Sequence, residues 1–322
     1  MVRYITRRVL IAIPMLLLIT LILFYAIFAV GDPVARLTAG NPRITEQDIA
    51  RIKQNFGLDK PRPLQYLVWL GNVVRGDFGE SIVSREPVSS MIGRRLGNTL
   101  ILMGTAFVVT QLIAIPIALV SALRQYSWFD YLVTGLSFVF YSFPVFFLGF
   151  MLLWIFSVKF NQWGLPSLPS GKMYDVRGER NLFELVKHLV LPVLTLALLS
   201  AAGYVRYLRA SVLEVLGQDY IRTARAKGLW NALVIRRHVL KNAALPVVTI
   251  MILELASLFS GAIVTESIFA WPGMGSLFID AMGDIDYPVL MGVLFIATSL
   301  VIIFNLIADI AYAYLDPRIS YS

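Results

Sequence analysis

The sequence predicts an all-α, polytopic membrane protein with six transmembrane helices, and two observations carry that prediction. Apolar residues make up 58% of the 322-residue chain and charged residues only 15%, with a mean hydropathy of +0.73. A soluble core cannot hide that much apolar surface, whereas a bilayer can. A hydrocarbon layer about 30 Å thick needs roughly 20 apolar residues per helix. Six stretches meet that length, at 9–30, 97–121, 131–158, 188–206, 246–269 and 289–312.

The first stretch follows Arg3, Arg7 and Arg8, and "AIFAVG" offers small residues for a secretory cleavage site. Its apolar run nevertheless exceeds the roughly 7–15 residues of a signal core, so an uncleaved first span is expected. Orientation follows from the short connections. Segment 1–8 holds three Arg and no acid, while loop 270–288 holds Asp280, Asp284 and Asp286 and no basic residue. Both termini are therefore expected in the cytoplasm. The net charge of +8 then reads as basic loops beside an anionic leaflet, not as nucleic-acid binding.

The segment between the first two spans is too long for a simple connection. "GDP" (31–33) is a turn that stops the first span. "TEQDIARIKQNFG" predicts a short helix, with Thr45 as cap, Asp48 in the capping-box position and Gly57 as stop. "PLQYLVWLGNVVRG" predicts a second, with Leu64, Leu67, Val68 and Leu70 as its apolar residues. Both would lie on the outer membrane surface or pack on the spans. "GDFGES" (76–81) is Gly-rich but lacks a phosphate-loop context, and reads as a turn. Residues 159–187 form a second outer loop. The chain has no cysteine, which excludes disulfides and thiolate metal sites. His188 and His238 are too few and too far apart to imply zinc, so no metal and no cofactor is expected.

The informative feature is the basic insert "DYIRTARAKGLWNALVIRRHVLKN", which lies between two long apolar runs. Asp219 can cap a helix start and suits its positive end; Gly228 can take the left-handed conformation that ends one. Ile221, Ala224 and Gly228 fall near one line at i, i+3 and i+7, almost without bulk, where another backbone could approach. Arg222, Arg225 and Lys227 point elsewhere and could pair with acids on a partner. Tyr220, Thr223, Ala226 and Leu229 complete the segment. A second helix is expected from 231 to 244, with Ile235 and Val239 on one face and Pro246 marking the start of the next span. A loop that only sets topology needs charge alone. Length, caps and a small-residue stripe suggest docking to a protein.

These residues carry a resemblance. "DYIRTARAKGL…RHVLKNAALP" resembles the cytoplasmic EAA loop of ABC importer permeases, in the form found in the dipeptide/oligopeptide type. Arg222 and Thr223 replace the consensus Glu and first Ala, while Ala224 and Gly228 match. His238 stands at the consensus Ile, and Leu245-Pro246 arrive five residues late. "YITRRVLIAIPMLLLITLILFYAI…GDPV", "FGLDKPRPLQYLVWL…RGDFGES", "ESIFAWPGMGSLFIDAM…DYPVLMGV" and "YLDPRI" extend the resemblance over nearly the whole chain.

The resemblance implies a type I ABC importer permease fold in a prokaryotic inner membrane. It implies a first helix and extracytoplasmic segment over 1–96, a permease core over 97–313 with its coupling loop at 207–245, and a tail over 314–322. It also implies partners: a second permease subunit, two ABC ATPase subunits that bind ATP and Mg, and an extracytoplasmic substrate-binding protein. Residues 219–228 would be the coupling helix. Peptides are the expected cargo, with nickel chelates, glutathione and oligosaccharides as alternatives.

Glu254, Glu266 and Asp309 lie within or at the ends of the last two spans, and ionisable groups there are candidates for function. Glu254 is the deepest and also suits a structural bond to a neighbouring helix or subunit. Glu266 and Asp309 should reach water. Trp271 in "FAWPGMG" could gate the outer side or anchor at the interface. The chain has no Gly-x4-Gly-Lys-Ser/Thr loop with which to bind ATP itself. An intramembrane protease, the remote alternative, would need a Ser–His pair or two aspartates within spans.

Overall fold

Helix is the only backbone solution that satisfies its own polar groups in lipid without closing a barrel, and this chain adopts it almost throughout. The computed structural model describes residues 2–31, 47, 54, 58–175 and 180–315; side chains at 2–4, 30, 244–246, 249, 252–261 and 311–315 lie outside that description. The principal helices are α1 (Val2–Val30), α2 (Arg62–Val74), α3 (Val88–Leu123), α4 (Trp128–Ser142), α5 (Val145–Leu153), α6 (Leu182–Leu216), α7 (Asp219–Ala226), α8 (Leu240–Ile268), α9 (Met274–Asp284) and α10 (Tyr287–Leu315). Among the described residues the only extended pairing is an isolated bridge between Glu80 and Pro87. The helix expected over 45–57 lies outside the described residues except at 47 and 54, both helical.

Helices α1, α3, α6, α8 and α10 cover five of the expected spans and overrun them. At 36 residues, α3 is about 54 Å long, well beyond the hydrocarbon thickness. The third span differs from expectation. Residues 131–158 are not one helix: the chain breaks at Phe143 and Pro144, both extended, with ψ of 130° and 140°. Proline bars the preceding residue from helical geometry, and a uniformly apolar run conceals the break. Beyond it, α5 continues through a π-helical turn (Trp154–Lys159) to Gln162, giving a predominantly apolar helix of 18 residues.

Two compact units arise from this chain. One contains Leu100–Trp271 and the residues from Phe304; the other contains Val2–Thr99 and Pro272–Ile303. In the first, Ala114, Ala118 and Ala122 form a stripe on α3, and Ala201 and Ala202 are buried on α6 in the same core. Small residues let helices approach closely where lipid removes the hydrophobic drive to associate. Tyr204, Val205, Leu208 and Val212 complete the α6 side of that core. A second cluster joins Leu148, Leu152, Leu191 and Phe269.

In the other unit, an aromatic cluster replaces the alanine stripe. Phe24 packs edge-on against Tyr66 and Tyr287, with centroids 5.5 and 5.8 Å apart. The Tyr66 hydroxyl donates to the Leu17 carbonyl at 3.0 Å and lies 2.9 Å from the Thr20 hydroxyl. The packed face of α2 is therefore Tyr66, Trp69 and Val73, whereas Leu64, Leu67 and Val68 are exposed. The sequence pattern finds the helix but not its buried face. "GDFGES" is a turn as expected: Gly76 and Gly79 take φ of 85° and 80°, and Asp77 accepts from the Gly79 N–H at 2.8 Å.

Candidate functional site

The basic insert folds as a short helix held between the end of α6 and the start of α8. A two-residue link, Gly217-Gln218, turns the chain out of α6 and into α7. Gln218, not Asp219, occupies the N-cap, and no side chain caps the helix. Asp219 sits in the first turn, where its charge suits the helix dipole, and lies 3.5 Å from Arg222. The C-terminus follows expectation. Gly228 has φ of 78°, its N–H reaches the Arg225 carbonyl at 3.0 Å, and the Leu229 N–H reaches Ala224 at 3.4 Å. That pair of bonds is a Schellman stop, which favours glycine at this position.

The expected docking line is not one face. Ile221 is 0% exposed and Ala224 is buried beside it, both packed inside their own chain with Val234, Val239, Val205, Leu208 and Val212. Gly228 is exposed, and a Cβ there would meet nothing within 4 Å. Only the Ile221 and Ala224 part of the line packs under this chain's own core. Burying Ile221 contributes about 2 kcal/mol and fixes α7 to the same core as α3, α4, α6 and α8. The outward face carries Asp219, Tyr220, Arg222, Thr223, Arg225, Ala226 and Lys227, with Leu229 just beyond it.

The segment after α7 also departs from expectation. In place of one helix ending before Pro246, a short helix (Asn231–Val234) leads through a π-helical turn (Ile235–Val239) into α8, which continues through position 246. Such turns insert an extra residue into the helix and recur at functional sites. The Ser211 hydroxyl donates to the Ala243 carbonyl at 3.0 Å, tying α6 to α8 beside α7.

A brace that sequence reading missed lies above this helix. Arg209 on α6 donates twice to Asp130 at the start of α4, Nε to Oδ1 at 2.6 Å and Nη2 to Oδ2 at 2.7 Å. The Ser121 hydroxyl and the Tyr126 N–H also donate to that carboxylate. The Arg209 hydrogen bonds hold the Asp130 carboxyl well below the usual carboxylate range, opposed by burial and assisted by Ser121 and Tyr126. The readable signal was "SWFD": Ser127 accepts from the Asp130 N–H at 3.3 Å as an N-cap, with an acid three residues on.

The Glu254 side chain lies outside the described residues. Glu266 is fully buried and does not reach water, because it lies with Ala262 and Thr265 on the packed side of α8, whereas Val264 and Ser267 are exposed. Trp271 is also fully buried, which removes the interfacial-anchor reading; its backbone N–H donates to the Glu266 backbone carbonyl at 2.8 Å. Asp309 is half-buried near the end of α10.

Comparison with known proteins agrees with this architecture. Residues 114–321 match the family described as the binding-protein-dependent transport system inner membrane component. Residues 1–103 match the N-terminal membrane component of the same systems. The chain is 45% identical to the oligopeptide transport system permease protein AppB of Bacillus subtilis, covering 100% of both chains. It is 38% identical to the dipeptide transport system permease protein DppB of Escherichia coli K12, covering 99% of both. It is also 38% identical to the glutathione transport system permease protein GsiC of Salmonella typhimurium, covering 100% of both. Among solved structures, an inward-facing form of the MetNI methionine ABC transporter matches with a TM-score of 0.55 and 18% identity, over 70% of this chain and 96% of that one. That likeness shows the type I ABC importer permease fold. The chain belongs to the inner-membrane component family of binding-protein-dependent ABC importers.

Proposed function

We propose that this chain is one of two permease subunits that form a path for di- or oligopeptides, powered by two ATPase subunits and supplied by an extracytoplasmic binding protein. The coupling element is α7. The observation that carries this reading is the division of its faces: Ile221 and Ala224 are buried in the core of the spans, while Tyr220, Arg222, Arg225 and Lys227 stand exposed. A helix built this way passes an outside displacement to the packed spans, because close-packed interiors transmit strain. ATP binding and hydrolysis reside in the partner subunits, since this chain has no phosphate-cradling loop.

The test is a charge reversal, Arg222→Glu with Arg225→Glu, in the assembled importer. Cargo-stimulated ATPase activity and uptake should fall together while the level of this chain in the membrane is unchanged. Full stimulation in that variant would sink the assignment. Stoichiometric ATP binding by the isolated chain would separately refute the division of labour. Glutathione is the second cargo reading, supported by the 38% identity to GsiC. The ligand that co-purifies with the adjacent binding protein decides between the two.

A further inference from the structure

At the opposite end of α6, Asn181 caps the helix by accepting from the Glu184 N–H at 2.9 Å, and His188 follows one turn later. The imidazole is 3% exposed. Its Nδ1 lies 2.8 Å from the Gly171 carbonyl and 3.2 Å from that of Lys172. Carbonyls only accept, so Nδ1 carries the proton and, in the neutral ring, Nε2 presents a lone pair. That atom is buried and has no hydrogen-bond partner. It faces Asp175 Oδ1 at 3.7 Å and Glu184 Oε2 at 3.9 Å, and the three donor atoms lie within 4.8 Å of one another.

We infer that His188, Asp175 and Glu184 form a site for a divalent cation of the zinc class, which ties the loop before α6 to that helix. Three electron-pair donors converging on one point repel one another unless positive charge sits between them. A proton on Nε2 would serve one acceptor along the N–H axis, and both carboxylates stand beyond hydrogen-bond reach. A central ion serves all three. Ligand bonds of about 2.0–2.1 Å in tetrahedral geometry place donors about 3.4 Å apart, so each carboxylate closes on Nε2 by a few tenths of an ångström, and the exposed Asp175 side chain takes up what remains of the carboxylate-to-carboxylate gap of at most 4.8 Å.

The surroundings suit such an ion. A backbone carbonyl on the far ring nitrogen is the arrangement that orients a ligating imidazole. Lys187 Nζ holds the other Glu184 oxygen at 2.8 Å, leaving Oε2 for the ion. Asp175 is 69% exposed, which provides a way in and a place for a bound water. The consequence reaches α8, because the Lys172 N–H donates to the Phe269 carbonyl at 2.8 Å. A Cβ at Gly171 would stand only 2.4 Å from that same oxygen. An ion at His188 therefore fixes the stretch of loop that lies against the end of α8. Counting histidines in the sequence excluded zinc, but two carboxylates supply the missing ligands.

The test uses the full purified chain, stripped with a chelator and dialysed against Zn2+ alone. Binding of about one equivalent per chain is expected, and Asp175→Asn and Glu184→Gln should each weaken it by at least about tenfold. Co2+ in place of zinc should give a visible ligand-field band that both variants lose. His188→Ala should abolish binding, but removing a buried ring risks misfolding, so the exposed Asp175→Asn is the deciding variant. Zinc held equally well by both carboxylate variants would mark adventitious surface binding and overturn the proposal. No binding by the unaltered chain would overturn it too.

Discussion

Two polar clusters sit on the same helix 21 residues apart, about 32 Å along α6 and close to the thickness of a bilayer core. At Arg209 the cluster is closed: a buried carboxylate receives two guanidinium bonds, a hydroxyl and a backbone N–H. At His188 the cluster is open: a buried ring nitrogen points at two carboxylates without touching either. A closed cluster has no capacity left and can only hold the fold. An open one has unspent capacity for a ligand. The difference teaches that burial of charge near a membrane does not by itself signal function; what matters is whether every lone pair is already used.

The sharpest contrast between the two ends is all-or-none. The chain has no cysteine, so single cysteines report cleanly. Cysteine at Ser170, on the exposed loop before α6, should react with an impermeant thiol reagent in spheroplasts. Cysteine at Asn231, beyond α7, should react only after the membrane is opened. The reverse pattern would invert the proposed orientation and place α7 on the wrong side for the proposed coupling.

Breaking the closed cluster comes next in size. Arg209→Ala leaves Asp130 buried and unpaired, which should cost about 3 kcal/mol and lower the thermal midpoint of the purified chain. Arg209→Met with Asp130→Asn should recover much of that loss, because neither buried charge remains. The pH dependence follows from the depressed Asp130 pKa: its stabilisation is complete above the unfolded value of about 4 and fades only as pH falls through the lowered folded value. The gap between parent and Arg209→Ala should therefore be constant from about pH 6 to 8. A gap that closes within that window would mean the pair is not the cause.

Gly228→Trp tests the face of α7 that points away from the core. A non-glycine residue at φ 78° costs about 1–2 kcal/mol, but its Cβ clashes with nothing in this chain. The spans should fold while the added bulk separates the docked surfaces, and uptake should fall about a hundredfold. Normal uptake would show that no partner covers this face. The smallest effect belongs to Lys227→Ala, where an exposed charge contributes little and uptake should stay within about fivefold. A loss as large as that of Gly228→Trp would make Lys227 a central contact.

Much of this molecule is legible in its residue order. Span positions follow from apolar length, and the stop at Gly228 follows from the need for positive φ in a Schellman turn. The turn at Gly76 and Gly79 follows from the same chemistry. Other features are hidden for identifiable reasons. The break at Phe143-Pro144 leaves hydropathy unchanged. The stripe at Ile221 and Ala224 looks the same whether it meets a partner or its own core. Asp130 and Arg209 are 79 residues apart in the chain, and a local capping pattern is the only trace of their meeting.

The sequence by itself determined the solvent, the helical class and the family, because each rests on composition or on local pattern. Tertiary structure decided which charges meet and which faces are free. It turned Tyr66 and Trp69 inward and Leu64 and Leu67 outward, buried Glu266 and Trp271, and drew Asp175 and Glu184 around His188. Those outcomes depend on contacts between residues distant in sequence, and no local periodicity encodes which apolar or charged group a given side chain will find.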